Sequence, residues 1–222
     1  MPIYGFRRRT RNRGTYPALG QRLVIDVKPT PKRKVRKHYY AARKWTERNN
    51  TYSTIVQKMG FSPIAFARRR TKETGKPAII LDWGCGNGRA IQRIAGEGNY
   101  VKCYGYGKDS YPEWNNPSRV QFIQESSERA MRYFTRLGGI DLIYSHWGLT
   151  HIGGKHTPSV GTPILIHHLK QLVSSLKIGG KIVMYPAINQ PFVNECQHVL
   201  DPTGKKIRVR MKELTIIIER LH

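Results

Sequence analysis

The sequence predicts an α/β protein, a three-layer sandwich built on a mostly parallel, seven-stranded sheet, and three observations support this prediction. Beyond residue 76, short apolar stretches alternate with helical patterns, which is typical of βαβ units. The first five predicted strands are separated by stretches long enough for crossover connections. The last two strands are joined by a turn too short for a crossover, so they must form an antiparallel hairpin.

Runs of β-branched and aromatic residues bounded by turn residues define the strands. In order they are AIILDW at 78–83, YVKCYGY at 100–106, VQFIQ at 120–124, DLIYSH at 141–146, KIVMYP at 181–186, and the hairpin strands at about 207–211 and 214–219. Helical patterns at 88–96, 126–136 and 164–176 lie between them.

The N-terminal third differs in composition and in its hydrophobic pattern. The first 35 residues are rich in Arg, Lys, Pro and Gly and predict an extended basic arm, in which LVIDV at 23–27 favours a short strand. Residues 36–59 carry a rough amphipathic stripe that predicts one or two helices, and a short helix is predicted at 63–71.

Charge divides the chain at the same place. Residues 1–76 hold 21 lysines and arginines against 3 acids, whereas residues 77–222 hold 18 against 11. A like-charged segment of this density repels itself and should be at most partly helical until a polyanion screens it. We therefore expect a basic, nucleic-acid-binding extension at 1–76 and the α/β domain at 77–222.

Composition also bears on location. No apolar run approaches the roughly 18 to 20 residues that cross a bilayer, so we expect no membrane association. The start of the chain lacks the apolar core of a secretory signal. The three cysteines form no CxxC pair, which favours a reducing compartment and a cytoplasmic protein. An organellar transit peptide at the Arg-rich start and a nuclear import signal at PKRKVRK, 31–37, are the alternatives.

The stretch ILDWGCGNGR at 80–89 predicts a ligand-binding turn, because a strand ends in an acid and opens through glycines toward a helix. The phosphate-binding P-loop needs GxxxxGK followed by Ser or Thr, and the dinucleotide fingerprint needs GxGxxG. Here the third glycine comes one residue early, at Gly88, and Arg89 fills the expected place. Both phosphate-binding interpretations therefore fail.

The remaining pattern, DxGxGxG, resembles motif I of the class I S-adenosylmethionine-dependent methyltransferases, which have a Rossmann-like fold. IDLIYSHWGLTHI at 140–152 resembles that family's fourth motif, LKIGGKIVMYP at 176–186 resembles the turn before its fifth strand, and the final hairpin fits its reversed seventh strand. The resemblance covers about 77–222. It implies S-adenosylmethionine as cofactor, contacted by the following residues of the first and fourth motifs: Asp82, Gly84, Cys85, Gly86, Gly88 and Ser145.

Two positions depart from the family pattern. The acid that normally binds both ribose hydroxyls is expected near Gly107, and the nearest acid is Asp109. After the third strand, Ser126 stands where an acid usually meets the adenine amino group, with Glu125 beside it. We expect Asp109, Glu125 and Ser126 to contact the cofactor. The alternative is that Asp109 and Glu125 are ordinary surface acids.

The acceptor of the methyl group is less well defined by the sequence. The fourth predicted strand ends in SHWG, which does not match the NPPY-like loop that positions base amino groups, and no Pro-Cys pair follows it. His146 and His151 lie where substrate should enter and are the candidate bases, with a place in the pocket wall as the alternative. The histidines His146, His151 and His156 recur at steps of five, which fits no zinc motif, so we expect no metal.

Basic residues interleaved with aromatics suit RNA, because cations meet phosphates while Tyr and Trp stack on unpaired bases. We expect RNA, with ribosomal RNA as one candidate, as the partner of a monomer or a ribonucleoprotein component. The predicted contacts are Arg7, Arg8, Arg9, Arg11, Arg13, Lys32, Arg33, Lys34, Arg36, Lys37, Arg68, Arg69 and Arg70. The leading hypothesis is an RNA methyltransferase. The alternatives are a catalytically degenerate RNA- or ribosome-binding protein of the same fold, and a small-molecule or protein methyltransferase.

Overall fold

The computed structural model describes residues 50–115, 119–149 and 158–222. The strand predicted at 23–27 and the part of the predicted helical segment that precedes residue 50 lie outside these ranges.

One seven-stranded sheet organises the described chain, in the order β3-β2-β1-β4-β5-β7-β6. The strands are β1 Ala78–Trp83, β2 Val101–Gly107, β3 Val120–Gln124, β4 Ile140–His146, β5 Leu176–Tyr185, β6 Ile207–Lys212 and β7 Thr215–Arg220. Strands β1 to β5 are parallel, while β7 runs antiparallel to both β5 and β6. The predicted sheet and its C-terminal hairpin are confirmed.

Six α-helices accompany the sheet in these ranges: α1 Tyr52–Met59, α2 Pro63–Thr74, α3 Arg89–Ala95, α4 Ser127–Leu137, α5 Pro158–Ser175 and α6 Gln190–Leu200. Short 3-10 turns lie at Gly98–Tyr100 and Pro112–Asn115. Among the described helices, none is long and apolar enough to cross a membrane.

Local capping chemistry fixes where the first two helices begin and end. The Thr51 hydroxyl accepts from the backbone N–H of Thr54 at the start of α1, and the Ser62 hydroxyl does the same for Ala65 at the start of α2. Gly60 and Gly75 end the two helices in the left-handed conformation that a side chain disfavours.

Helices cover both faces of the sheet, so the apolar core has two parts. On one face Trp83 and Ile143 pack with Phe134 of α4, Leu169 of α5 and Val193 of α6. The other face is covered by α1, α2 and α3. Its core includes Ile55, Phe66, Ile80, Ile91 and Tyr144. Helices α1 and α2, which fall within the predicted extension, therefore contribute side chains to this core, and the domain boundary at residue 76 stays a prediction.

Three elements differ from the sequence expectations. Helix α5 begins at Pro158 rather than at residue 164. Strand β5 begins at Leu176 rather than at residue 181, because Leu176 already pairs with Ile140 before the register shifts. Helix α6 was not predicted. Its sequence signal is Asn189, the N-cap residue, whose side chain accepts from the backbone N–H of Phe192 at 2.9 Å, and the helix begins at Gln190.

Candidate functional site

The parallel strands β1 to β4 end at a common edge, where the strand order reverses. Strand β1 has β2 on one side and β4 on the other. In open α/β sheets, ligands bind in the crevice outside the carboxyl ends of the strands at such a reversal. The predicted glycine turn lies at this edge, directly after β1.

The turn that follows β1 is fastened to the end of β2. The backbone N–H groups of Gly84 and Cys85 both donate to the carbonyl of Tyr106 at 2.9 Å. Gly84, Gly86 and Gly88 have φ angles of 87°, 52° and 78°, in the left-handed region that favours glycine. The glycine spacing of the motif is thus required by the backbone conformation of the turn.

Neighbouring groups also require two of these glycines. A Cβ at Gly84 would lie 2.7 Å from the Cα of Gly148, and one at Gly88 would lie 2.6 Å from the ring of Phe122. The absence of a side chain at Gly84 allows the turns after β1 and β4 to lie in contact. The absence of one at Gly88 allows the start of α3 to pack against β3.

Asp82 is the acid at the end of β1, and its side chain is fully buried. One carboxylate oxygen, Oδ2, accepts from the Tyr144 hydroxyl at 2.9 Å. The other, Oδ1, has no hydrogen-bond partner among the residues that the structure describes. Burial raises the pKa of Asp82 to about 7, against the opposing effect of the Tyr144 hydrogen bond.

Two buried thiols lie close to this carboxylate. Burial, followed by the charge of Asp82, raises the pKa of Cys85 well above its ordinary value and that of Cys103 to about 12. A Cβ at Gly105 would lie 3.0 Å from the Cys85 sulfur, so the Cys85 side chain packs between the turn and β2. Cys85, predicted to contact the cofactor, contributes a buried uncharged side chain to the floor of the site.

Two asparagines that sequence reasoning missed support the turn. The Asn50 amide donates to the carbonyl of Cys85 at 2.6 Å, and the Asn87 side-chain oxygen accepts from the backbone N–H of Arg89 at 3.3 Å. Their second polar atoms, Asn50 Oδ1 and Asn87 Nδ2, are buried without a partner in the described chain. Asn87 lies within the glycine motif at 82–88 and could have been predicted from it, whereas no feature of the sequence links Asn50 to that motif.

The end of β2 carries no carboxylate. Strand β2 ends at Gly107, and the predicted ribose ligand Asp109 is exposed two residues later. The indole of Trp114 covers this end of the strand, since a Cβ at Gly107 would lie 2.9 Å from the Trp114 ring. The Trp114 indole N–H donates to the carbonyl of Gly86 at 2.9 Å, so this side chain contacts the glycine turn as well.

The two residues predicted to meet the adenine follow β3. Glu125 is half-buried and pairs with Arg129 at 3.5 Å, while its backbone carbonyl accepts from the Tyr106 hydroxyl at 3.4 Å. Ser126 is exposed at the start of α4. The edge of the sheet brings both near the predicted site, and their contact with a cofactor stays a prediction.

Ser145 connects the turns after β1 and β4. Its buried hydroxyl donates to the carbonyl of Trp83 at 2.8 Å and accepts from the backbone N–H of Leu149 at 2.8 Å. Both hydrogen bonds lie within the protein. The geometry therefore supports a structural role for the Ser145 side chain, which holds the two turns together.

His146 ends β4 and is 7% exposed. Its ring centroid lies 5.5 Å from that of Tyr185 on β5, and the Lys58 ammonium lies 5.7 Å from the centre of the same tyrosine ring. Burial, assisted by the Lys58 charge, lowers the pKa of His146 to about 4. His146 is therefore neutral near pH 7. His151, the other candidate base, lies outside the described residues.

The basic residues predicted to bind RNA separate into two groups. Arg7 to Lys37 lie outside the described ranges. Arg68 donates to Glu97 at 2.8 Å, and Arg69 lies 3.6 Å from Glu73. Arg70 is 12% exposed and bonds to Asp141 at 3.2 Å and to the carbonyl of Ile178 at 2.9 Å. These contacts support a structural role for Arg70, and an RNA contact stays a prediction for all three arginines.

Within residues 50–115, 119–149 and 158–222, no group of three or more His, Cys, Asp or Glu side chains is placed to hold a metal ion.

No family model matches the sequence, and a search of curated proteins finds no similar one. Solved structures include similar folds. The plantazolicin methyltransferase BpumL in complex with S-adenosylhomocysteine gives a TM-score of 0.59 at 10% identity, covering 82% of this chain and 90% of that one. Its complex with a monoazolic desmethylPZN analog and S-adenosylhomocysteine gives 0.55 at 12% identity, with coverage of 83% and 90%.

An O-methyltransferase family protein from Burkholderia thailandensis gives a TM-score of 0.52 at 12% identity, covering 83% of this chain and 61% of that one. At such low identity the similarity establishes a shared fold. The strand order, with a reversed seventh strand inserted between the fifth and sixth, agrees with it. The chain thus has the Rossmann-like fold of the class I S-adenosylmethionine-dependent methyltransferases.

Proposed function

We propose that this protein is an S-adenosylmethionine-dependent methyltransferase that acts on RNA held by its basic N-terminal extension. One observation carries the cofactor part of the proposal. Asp82 is fully buried beside the glycine turn, and one of its carboxylate oxygens has no partner in the described chain. A buried acceptor of this kind costs free energy unless a ligand satisfies it.

The chemistry of the site favours a cationic ligand without phosphates. A carboxylate beside the turn would repel a phosphate, whereas an ammonium group both neutralises the charge and donates hydrogen bonds. Asp82 would hold the ammonium of the methionyl moiety, and the bare backbone from Gly84 to Gly88 would contact the rest of that moiety. When bound, the cofactor supplies an electrophilic methyl group on a sulfonium.

The groups at the ends of β4 and β5 would form the acceptor side of the site. His146 and Tyr185 are paired across these strands, and Trp147 donates its backbone N–H to the carbonyl of Tyr185 at 2.7 Å. A pKa of about 4 makes the neutral His146 imidazole a weak base. We infer that His146 positions the acceptor, because alignment is the main requirement of an in-line displacement.

Charge supports RNA as the substrate. The formal net charge is +25, and residues 1–76 account for +18 of it, as 21 lysines and arginines less 3 acids. Such a segment gives sequence-independent affinity for a polyanion, and the aromatic residues interleaved with it suit unpaired bases. Ribosomal RNA is one candidate within this class.

The second candidate function is an RNA-binding protein of the same fold that no longer transfers methyl groups. The end of β2 favours it, because Gly107 offers no carboxylate and Trp114 covers its position. A small-molecule methyltransferase is a further alternative, and the plantazolicin methyltransferase BpumL shares the fold.

Calorimetric titration with S-adenosylmethionine and S-adenosylhomocysteine tests the cofactor part. We expect saturable binding to the wild-type protein and its loss in Asp82→Asn, a variant that keeps the shape of the side chain. Absence of binding at millimolar ligand would contradict the enzymatic proposal and favour the RNA-binding alternative.

Methyl transfer to copurifying RNA, followed by mass spectrometry of the nucleosides, tests the substrate part. We expect added cofactor to produce a new methylated nucleoside. A variant lacking residues 1–35 should lose RNA affinity, and the salt dependence of binding should weaken with it. Unchanged RNA affinity in that variant, with activity on a small molecule instead, would favour the small-molecule alternative.

A further inference from the structure

Trp114 takes the space that any side chain at the end of β2 would need. Gly107 is the last residue of β2, and its backbone is outside the left-handed region. A Cβ built there would lie 2.9 Å from the Cη2 atom and 3.1 Å from the Cζ2 atom of Trp114. A side chain at position 107 would therefore clash mainly with the neighbouring indole, and its Cβ would also lie 3.3 Å from the Asp109 carbonyl oxygen.

The indole is fixed in this place by contacts on two sides. Its ring stacks on Phe122 with a centroid distance of 4.8 Å and an interplanar angle of 6°. Its N–H donates to the carbonyl of Gly86 at 2.9 Å. The 3-10 turn that carries it is attached to α3, since the Gln92 side chain donates to the carbonyl of Glu113 at 3.2 Å.

The Phe122 ring occupies space that side chains at two neighbouring glycines would need. Cβ atoms at Gly88 and Gly105 would lie 2.6 Å and 2.7 Å from its ring. Three glycines, one in the turn and two in β2, thus accommodate one stacked aromatic pair, Phe122 and Trp114. A movement of the Trp114 ring away from position 107 would break the stacking and the hydrogen bond to the glycine turn together.

We propose that Trp114 is a specificity-determining residue that removes ribose recognition from the end of β2. A carboxylate cannot stand at position 107 while the indole lies there, and Asp109 is exposed. The adenosyl end of the ligand would then meet the Trp114 indole where a carboxylate at position 107 would otherwise stand. This inference rests on the proposed cofactor and concerns how that cofactor is selected.

Paired ligands and paired variants test this inference. S-adenosylhomocysteine and its 2′,3′-dideoxy analogue are titrated into the wild-type protein, Trp114→Ala, Gly107→Asp, and the double variant. A hydrogen-bonded carboxylate would discriminate between the two ligands by roughly tenfold or more. We expect the wild-type affinities to agree within about threefold, and the double variant, which has both the acid and the space for it, to prefer the ribose by about tenfold.

Thermal unfolding provides a readout that does not depend on any ligand. Gly107→Asp alone should lower the melting temperature by several degrees more than it does in the Trp114→Ala background, because the clash needs the indole. Equal effects in the two backgrounds would overturn the steric part of the inference. Tenfold or greater discrimination by the wild-type protein would overturn the recognition part. Failure of both ligands to bind, with the expected unfolding data, would instead contradict the proposed function and with it the recognition part.

Discussion

Gly84 and Gly148 lie against each other, so that the turn after β1 and the turn after β4 share one point of backbone contact. A Cβ on Gly84 would lie 2.7 Å from the Gly148 Cα, and a Cβ on Gly148 would lie 2.8 Å from the Gly84 Cα. The Ser145 hydroxyl bridges the same two turns through Trp83 and Leu149. The base of the candidate site is thus a single packed unit.

Substitution of Gly84 by alanine should therefore be strongly destabilising. The residue has a φ of 87°, and the added methyl group would meet backbone atoms that cannot rotate away. We expect a loss of more than about 3 kcal/mol in the free energy of unfolding, measured by urea denaturation. Gly75→Ala is the matched control, because Gly75 has a φ of 67° but no atom within 4 Å of a Cβ, and it should cost only about 1 kcal/mol. Similar losses in the two variants would show that the contact with Gly148 is unimportant.

Replacement of Asp82 by asparagine should abolish cofactor binding and increase the stability of the ligand-free protein at pH 8. A buried acid with a pKa of about 7 binds its proton more tightly in the folded state, so its contribution to the free energy of unfolding declines as the pH rises from about 4 to about 7. At pH 8, Asp82→Asn should be more stable than the ligand-free wild-type protein by up to about 4 kcal/mol. The difference should vanish near pH 4. A variant less stable than the wild-type protein at pH 8 would contradict this account of the site.

The same titration predicts how ligand affinity depends on pH. The ammonium of S-adenosylhomocysteine needs the ionised form of Asp82, so the dissociation constant should decrease about tenfold per pH unit between pH 5.5 and 7 and level off above. His146→Gln is the matched control. The His146 pKa of about 4 lies below this range, so that variant should keep the slope. Calorimetry in two buffers of different ionisation enthalpy should also detect proton release on binding. A wild-type affinity that does not vary with pH would exclude Asp82 as the ammonium ligand.

Local sequence patterns were sufficient to predict the sheet, because each strand is a separate apolar run and the short final turn permits only an antiparallel pair. The position of Asp82 and the glycine turn followed from the same strand. The role of Trp114 was not accessible in this way. It depends on Gly107, Phe122 and Gly86, which come together only when β2, β3 and the turn after β1 are assembled. Asn50 was missed for the same reason, since its partner Cys85 is 35 residues away in the chain.

Composition alone does not separate the members of one basic run. Arg68, Arg69 and Arg70 are adjacent in sequence, but α2 directs them to different surroundings. Arg69 has a side chain that is 61% exposed, whereas Arg70 reaches the buried carboxylate of Asp141. That carboxylate also accepts from the Lys177 ammonium at 2.7 Å and from the backbone N–H of Ile79 at 2.9 Å. A charge count does not distinguish a cation that pairs with an acid of the same chain from a cation that is exposed to solvent.

Alanine substitutions at Arg69 and Arg70 should therefore affect different properties, RNA affinity for Arg69 and stability for Arg70. Arg70→Ala removes one partner of a buried carboxylate and should reduce the free energy of unfolding by about 2–3 kcal/mol, with little change in RNA affinity measured where the variant is fully folded. Arg69→Ala should change stability by less than about 0.5 kcal/mol and should weaken RNA binding while reducing its salt dependence. Chemical denaturation and filter binding at two salt concentrations measure both quantities in the full chain. Equal stability of the two variants would contradict the structural role assigned to Arg70, and an RNA affinity that responds only to Arg70→Ala would reverse the assignment.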